Sequence, residues 1–486
     1  MGLDGVAGGQ QRRWWVLAIL TLAQLMVVVD VTIVNIALPA AQADLGFADD
    51  GRHWLVTGYA LAFGSLLLIG GRLSDFFGQR RMLVVGLVGF ALASGLGGFA
   101  QSFDTLLAAR LLQGAFGAAL APAALSLVSM TFEDRASRLR AFAVFGGASS
   151  AGGAVGLLLG GVLTELLSWR WCMFVNLPIS VIALAGVWLI RKQPILTRNR
   201  LDLPGAVTST GGIISLVYGL ANAEHEGWGA LWTIAPVLFG LALLSAFVLI
   251  ERRSTHPLLP MRVIVHRNRG AANLVGVMVN GGLFGVFLFS TFYFTDVLQF
   301  TPVQTGLSFV PVVLGIMVTT ALVGSPIAAR FGRRSVITLG CLVAGGGLAL
   351  QTGASTDSRF ASDTLPGLVL YGLGLGLVFG RLQEAATAHT EARDTGVASA
   401  LINASQEVGG SIGTALASSV AATATAALLA TAVDPVSTAS LTAVSYQSAL
   451  WVAVSLYAMA AIVAATVFRP LQPQPDTTDT APPVRH

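Results

Sequence analysis

The chain has 486 residues, 54% of them hydrophobic and only 11% charged, and its mean hydropathy is +0.75. A soluble domain carries about 25% Asp, Glu, Lys and Arg, so a water-facing exterior is excluded, and the same apolar excess excludes disorder. The formal charge of +4 does not point to nucleic acid, because the 28 basic residues are scattered in short clusters between apolar runs.

A helix that crosses a bilayer needs roughly 20 apolar residues, and the sequence predicts about fourteen such runs. Their extents are 14–38, 53–71, 82–101, 105–130, 138–163, 171–190, 204–222, 231–250, 271–294, 306–329, 335–353, 365–388, 395–430 and 446–468. The first run, from Trp14, is too long for a cleaved signal peptide and reads as a span. The run over 395–430 is too long for one span and is expected to include a surface turn. No stretch alternates polar and apolar residues as a barrel strand must. Cys172 and Cys341 sit in separate apolar runs, against a disulfide framework or a metal site.

Arginine and lysine set the orientation. With the N-terminus inside, inner loops and tails hold 23 of them, whereas outer segments hold Arg52, Arg170 and Arg359. Both termini are therefore expected in the cytoplasm. Trp14, Trp15, Trp54, Trp169, Trp171, Trp228 and Trp232 fall near span ends, as an aromatic belt requires.

The chain repeats itself. Phe77-Gly78-Gln79-Arg80 after the second run recurs as Phe331-Gly332-Arg333-Arg334 after the tenth, an offset of eight spans. Two six-helix halves with two extra helices between them give that offset, and duplicated halves around a central site are the usual transporter plan. The expected organisation is a tail over 1–13, one bundle over 14–190, a linker with two helices over 191–270, a second bundle over 271–468 and a disordered tail over 469–486.

Four motifs carry a resemblance. The first run holds Asp30-Val31-Thr32-Ile33-Val34-Asn35-Ile36-Ala37-Leu38-Pro39. The loop after the second reads Gly71-Arg72-Leu73-Ser74-Asp75-Phe76-Phe77-Gly78-Gln79-Arg80-Arg81. The fourth run holds Arg110-Leu111-Leu112-Gln113-Gly114, and the sixth opens with Trp169-Arg170-Trp171 and Asn176-Leu177-Pro178. With these motifs the chain resembles the major facilitator superfamily, and within it the fourteen-helix drug:proton antiporter branch. The resemblance implies an all-α integral membrane protein of two six-helix bundles plus two extra helices, in the bacterial cytoplasmic membrane. It implies a monomer that moves a small amphipathic or cationic substrate against protons, with no cofactor beyond the proton gradient and no enzymatic chemistry. The branch's helix-five antiporter motif is met by Gly152, Gly156, Gly160 and Gly161, but Leu157 stands where proline is expected.

The residues argue the chemistry. A carboxylate in mid-helix costs roughly 2.5–3.5 kcal/mol on insertion scales, a cost that Asp30 lowers by taking up a proton. At 1.5 Å rise per residue Asp30 and Arg110 differ in depth by only ~4 Å, within an arginine's reach. Arg110 can sense the proton on Asp30 or hold it as a permanent pair. Glu407, beside Asn403, Ser405 and Gln406, is a second candidate for proton or cation binding. Arg381 and Glu384, three apart, share a helical face and read as an ion pair of the inner vestibule. Gly71, Arg72, Asp75, Gly78, Arg80 and Arg81 form a gating loop in which the acid caps a neighbouring helix and the arginines bridge to adjacent loops. Asn35, Tyr59, Gln113, Phe284 and Phe287 are the candidate substrate contacts.

No Gly-x-x-x-x-Gly-Lys-Ser/Thr sequence supports ATP use. The function expected is export of an amphipathic drug or antibiotic in exchange for protons by alternating access. Leu157 keeps open a metabolite exporter, uniporter or importer without proton exchange. A sensor lacks an output domain, and an intramembrane enzyme lacks clustered catalytic groups.

Overall fold

The computed structural model describes the chain apart from residues 1–2, 50, 133, 191–201, 255–256, 260, 262–264, 321–323, 388–394, 433–435 and 469–486. The expected disordered tail and the first part of the expected linker lie outside the described residues. Among the described residues every regular element is helical.

In chain order the helices are α1 Leu3–Leu45, α2 Gly51–Phe77, α3 Gln79–Gly98, α4 Phe103–Thr131, α5 Arg135–Leu166 and α6, broken into Arg170–Phe174 and Asn176–Gly186. There follow α7 Leu203–Glu226, α8 Leu231–Arg253 and α9 Arg267–Phe292. Then come α10, broken into Pro302–Ser308 and Val310–Val318, and α11 Gly324–Ala349, α12 Leu365–Thr387, α13 Thr395–Thr431 and α14 Thr438–Val467. Two expectations change. Residues 3–13, expected as a tail, continue α1. The long run near the C-terminus is one unbroken helix of 37 residues without a surface turn, because it contains no proline and its glycines sit in tight helix contacts instead. Among the described residues eleven helices are long and apolar enough to cross a membrane, with two shorter apolar helices at Val155–Leu166 and Pro302–Val318.

Helices α1 to α6 pack on one another, as do α9 to α14, while α7 and α8 pair and α7 lies against α2 and α13. Each half has its own apolar core, one around Leu20, Phe90, Leu120 and Leu127, the other around Phe294, Phe309, Leu375 and Leu450. Large apolar side chains also point outward: Leu92, Trp188, Val207, Leu238 and Ile462 are all more than half exposed. In water that surface would be costly; against lipid it is the stable arrangement, and helices satisfy their own backbone polar groups.

Candidate functional site

The centre of the first half holds a closed polar cluster. Asp30 of α1 is 0% exposed and Arg110 of α4 is 2% exposed. Arg110 Nη1 donates to Asp30 Oδ2 at 2.5 Å and to Gln113 Oε1 at 3.0 Å, and its Nε donates to the Leu55 carbonyl at 3.2 Å. The other carboxylate oxygen accepts from Gln113 Nε2 at 2.8 Å and from Asn176 Nδ2 at 2.7 Å. Both amides also donate to Ser94 Oγ, at 3.0 and 2.9 Å, and the Ser94 hydroxyl donates to the Met173 carbonyl at 2.7 Å. The Tyr59 ring lies beneath the guanidinium, 4.4 Å from it, and stacks on Phe63.

Sequence dictates this meeting. Arg110 and Gln113 are one turn apart on α4 and so share a face. Gly114, next along, lets α4 close on α2: a Cβ there would stand 2.4 Å from the Tyr59 carbonyl. The break before Asn176 turns that side chain inward at the start of the second part of α6. An ionised pair out of water is held only when its remaining lone pairs and protons are also bonded, and here Asp30 accepts from three side chains. The arrangement can hold one negative charge firmly. A proton placed on Asp30 would remove Arg110's counter-charge, so proton occupancy and the position of the arginine are linked.

Other candidate residues lie apart. Glu407 is not in the Asp30 cluster. Its Cβ is 3.0 Å from where a side chain at Gly64 would start, so it sits where α13 meets α2. Its Oε2 is buried with no hydrogen-bond partner among the described residues, and Gly64 is five residues along α2 from Tyr59. Nearby, Ser405 Oγ donates to Asn273 Oδ1 of α9 at 3.0 Å. Gln113 and Tyr59, expected as substrate contacts, are enclosed, 0% and 1% exposed, with Gln113 bonded to Asp30 and Arg110 and the Tyr59 ring under the guanidinium. Asn35 donates to the Val31 carbonyl and leaves Oδ1 unpaired. Phe284 packs against Gly410, and Phe287 against Phe309 at 4.9 Å.

The helix-five glycines face two ways. Gly152, Gly156 and Gly160 back onto α1 at Leu25, Thr32 and Ile33, whereas Gly161 meets Pro302 and Val303 of α10. The Leu157 carbonyl lies 2.6 Å from where a Cβ at Gly306 would stand, so the residue that departs from the motif sits in the crossing of α5 and α10.

In the gating loop Gly78 has φ 95°. Arg72 donates to the carbonyls of Pro257 and Leu258 in the segment after α8. Asp75 accepts from the Gln79 side chain at 2.9 Å rather than from backbone amides of a neighbouring helix, because Gln79, one turn on, reaches it first. Gly71 lies against Pro122 of α4; Arg80 is half-buried and Arg81 exposed. Arg381 and Glu384 pair at 2.8 Å, and Arg333 joins Glu384 at 2.9 Å.

Sequence reasoning missed Ser94 and Arg333 as partners and treated Asn176 only as part of a motif. Asn176 carried a usable signal, a lone amide between Val175 and Leu177. Ser94 carried none, since small hydroxyl residues are common in membrane helices.

A family model described as Major Facilitator Superfamily matches residues 20–414. The chain belongs to the Major Facilitator Superfamily. Like the proteins of that superfamily it is a multi-pass membrane transporter and not an enzyme. It is 44% identical over 461 residues to the puromycin resistance protein pur8 of Streptomyces alboniger, covering 94% of this chain and 92% of that one. It is 38% identical to the cephamycin export protein CmcT of Amycolatopsis lactamdurans, over 81% and 82% of the two chains. It is 32% identical to the tetracenomycin C resistance and export protein of Streptomyces glaucescens, over 84% and 76%. Among solved structures, an auto-inhibited peptide transporter of the POT family matches with a TM-score of 0.68 at 17% identity, covering 95% of this chain and 98% of that chain. Such a likeness establishes the superfamily fold and nothing finer.

Proposed function

We propose that this facilitator-superfamily chain exports amphipathic antibiotics or drugs across the bacterial cytoplasmic membrane in exchange for protons. It does so as a monomer with fourteen spans, both termini in the cytoplasm and no cofactor. The relatives named for antibiotic resistance and export support the cargo class. The observation that carries the exchange is the enclosed Asp30–Arg110 pair, a carboxylate bonded to three side chains at the core of one half. In the cycle, inward-open protein takes up substrate as Asp30 gives up its proton, Arg110 closes on the carboxylate, and the halves rock. Substrate leaves, and a proton from outside releases the pair. Entry of that proton is driven by the membrane potential, ~2.3 kcal/mol per charge per 100 mV. Glu407, with an unpartnered oxygen where the halves meet, is the anchor for a cationic substrate.

The test is flux of ethidium and of puromycin in proteoliposomes with an imposed pH gradient. Uphill movement that stops when the gradient is collapsed, and that Asp30→Asn abolishes while the protein remains folded, is the expected result. Uphill flux that ignores the gradient removes proton exchange. Leu157 favours one second reading, transport without antiport, which that outcome would select.

A further inference from the structure

The two extra helices have a direct connection to the gating loop. Glu251, near the end of α8, is 3% exposed. Its two carboxylate oxygens accept from the backbone amides of Leu258 and Leu259, each at 3.1 Å. On the other edge of the same stretch Arg72 donates to the carbonyls of Pro257 and Leu258. One short peptide is thus held by an anion along its N–H edge and by a cation along its C=O edge, and hydrogen bonds to charged groups are the strong ones.

Its side chains reach further. Leu258 and Leu259, 3% and 2% exposed, pack with Phe247 of α8, Leu68 of α2 and Leu401 of α13. The peptide therefore touches both halves at once. α7 follows the same seam: Thr210 Oγ1 donates to the Ser65 carbonyl of α2 at 3.1 Å, and Ser419 Oγ of α13 donates to the Leu220 carbonyl at 3.0 Å. Relative motion of α2 and α13 must break or carry along a peptide bonded to α2 through Arg72 and packed with Leu401 of α13. The Glu251 bonds are local, seven and eight residues along the chain, and travel with α8. The Arg72 bonds join segments 185 and 186 residues apart and are the ones that can part.

We propose that Pro257–Leu259 is the inner latch of the transport cycle, with Glu251 as the positioning residue that keeps it shaped and Arg72 as the residue that engages and releases it. The inserted helices then serve to operate the gating loop. This rests on the alternating-access reading above.

The latch has a readout that needs no cargo. With Leu259→Cys in the full chain in proteoliposomes, maleimide labelling reports release of the peptide; Cys172 and Cys341, both 0% exposed, provide the background. Glu251→Gln turns one acceptor into a donor facing an N–H, and labelling is expected to quicken about tenfold. Arg72→Gln, at a half-buried position in the last turns of α2, provides a second variant and is expected to act in the same direction. Ethidium kcat should fall severalfold in both variants with KM unchanged, and Arg72→Lys should restore part of it. Unchanged labelling in both variants overturns the clamp. Faster labelling with unchanged kcat overturns its part in transport. A wild-type protein that moves no ethidium sinks the transport reading instead, and the labelling still decides the clamp.

Discussion

Gly78 and Gly332 turn the chain at equivalent places in the two halves, with φ, ψ of 95°, 134° and 78°, 156°, yet an arginine before the first turn and one after the second reach for different things. Arg72 leaves its own half and holds the segment after α8. Arg333 stays at home, bonding Glu384 of α12, which Arg381 holds from the other side. The interiors differ too. The first half encloses the Asp30–Arg110 pair, whereas the second, apart from Glu407 at its seam with α2, encloses a network of tyrosines: Tyr371 and Tyr457 share a hydrogen bond at 3.0 Å, Tyr457 donates to the Val279 carbonyl at 3.0 Å, and Tyr446 donates to Gln351 at 3.0 Å. A duplicated scaffold has kept its backbone turn and divided its chemistry. Neutral networks hold their bonds at any proton concentration; a buried ion pair holds only while both charges persist.

The sharpest way to break this contrast is Arg110→Ala. It leaves Asp30 buried and unpaired, a loss of roughly 3–5 kcal/mol. Thermal unfolding in detergent should fall steeply and gradient-driven flux should vanish. Adding Asp30→Asn to the same chain removes the stranded charge, so stability should largely return while gradient-driven flux does not. A single variant as stable as the wild type would show that the pair is not held as a charge in the folded protein.

Much of this was legible before any coordinates, for physical reasons. The apolar runs and the Phe-Gly-x-Arg repeat are local properties of the chain, and they yield membrane helices and duplication. Asp30 and Arg110 stand out because a charge in an apolar run is costly, and equal depth on two helices suffices to pair them. Rotation about a helix axis is not local, however. Gln113 and Tyr59 turn inward to the carboxylate because Gly114 lets α4 close on α2, and no periodicity announces that. The partners of Arg72 and Arg333 were hidden for the same reason, being set by which loop or helix end lies beside them. The extent of α13 is legible to within a residue, but the surface turn that its length suggests is absent, because its packing does not need one.

Next in size come Gly78→Ala and Gly332→Ala. Nothing stands within 4 Å of a Cβ at either position, so the cost is backbone strain alone, about 1–3 kcal/mol for each. The two variants should melt alike. Only Gly78→Ala, which re-aims the loop carrying Arg72, should slow ethidium turnover. Equal slowing by both would erase the functional difference between the two loops.

Tyr457→Phe removes two neutral hydrogen bonds, at about 1 kcal/mol each. Unfolding should come a few degrees earlier, with gradient dependence of flux intact. A variant that uncouples flux from the gradient would place proton chemistry in the second half as well.

The smallest effect is expected from Glu384→Gln. Its side chain is 48% exposed, and its two arginines are 11% and 20% exposed. Ion pairs this open to solvent contribute about 0–1 kcal/mol and are screened by salt. The glutamine can still accept from one arginine, so the α11–α12 contact should persist, and any loss of stability should disappear when unfolding is repeated in concentrated salt. Ethidium kcat and KM should both match the wild type, in contrast to the severalfold fall expected of Glu251→Gln. If Glu384→Gln instead lowers kcat with KM unchanged, the second loop gates as the first does, and the division of labour between the halves is confined to their interiors.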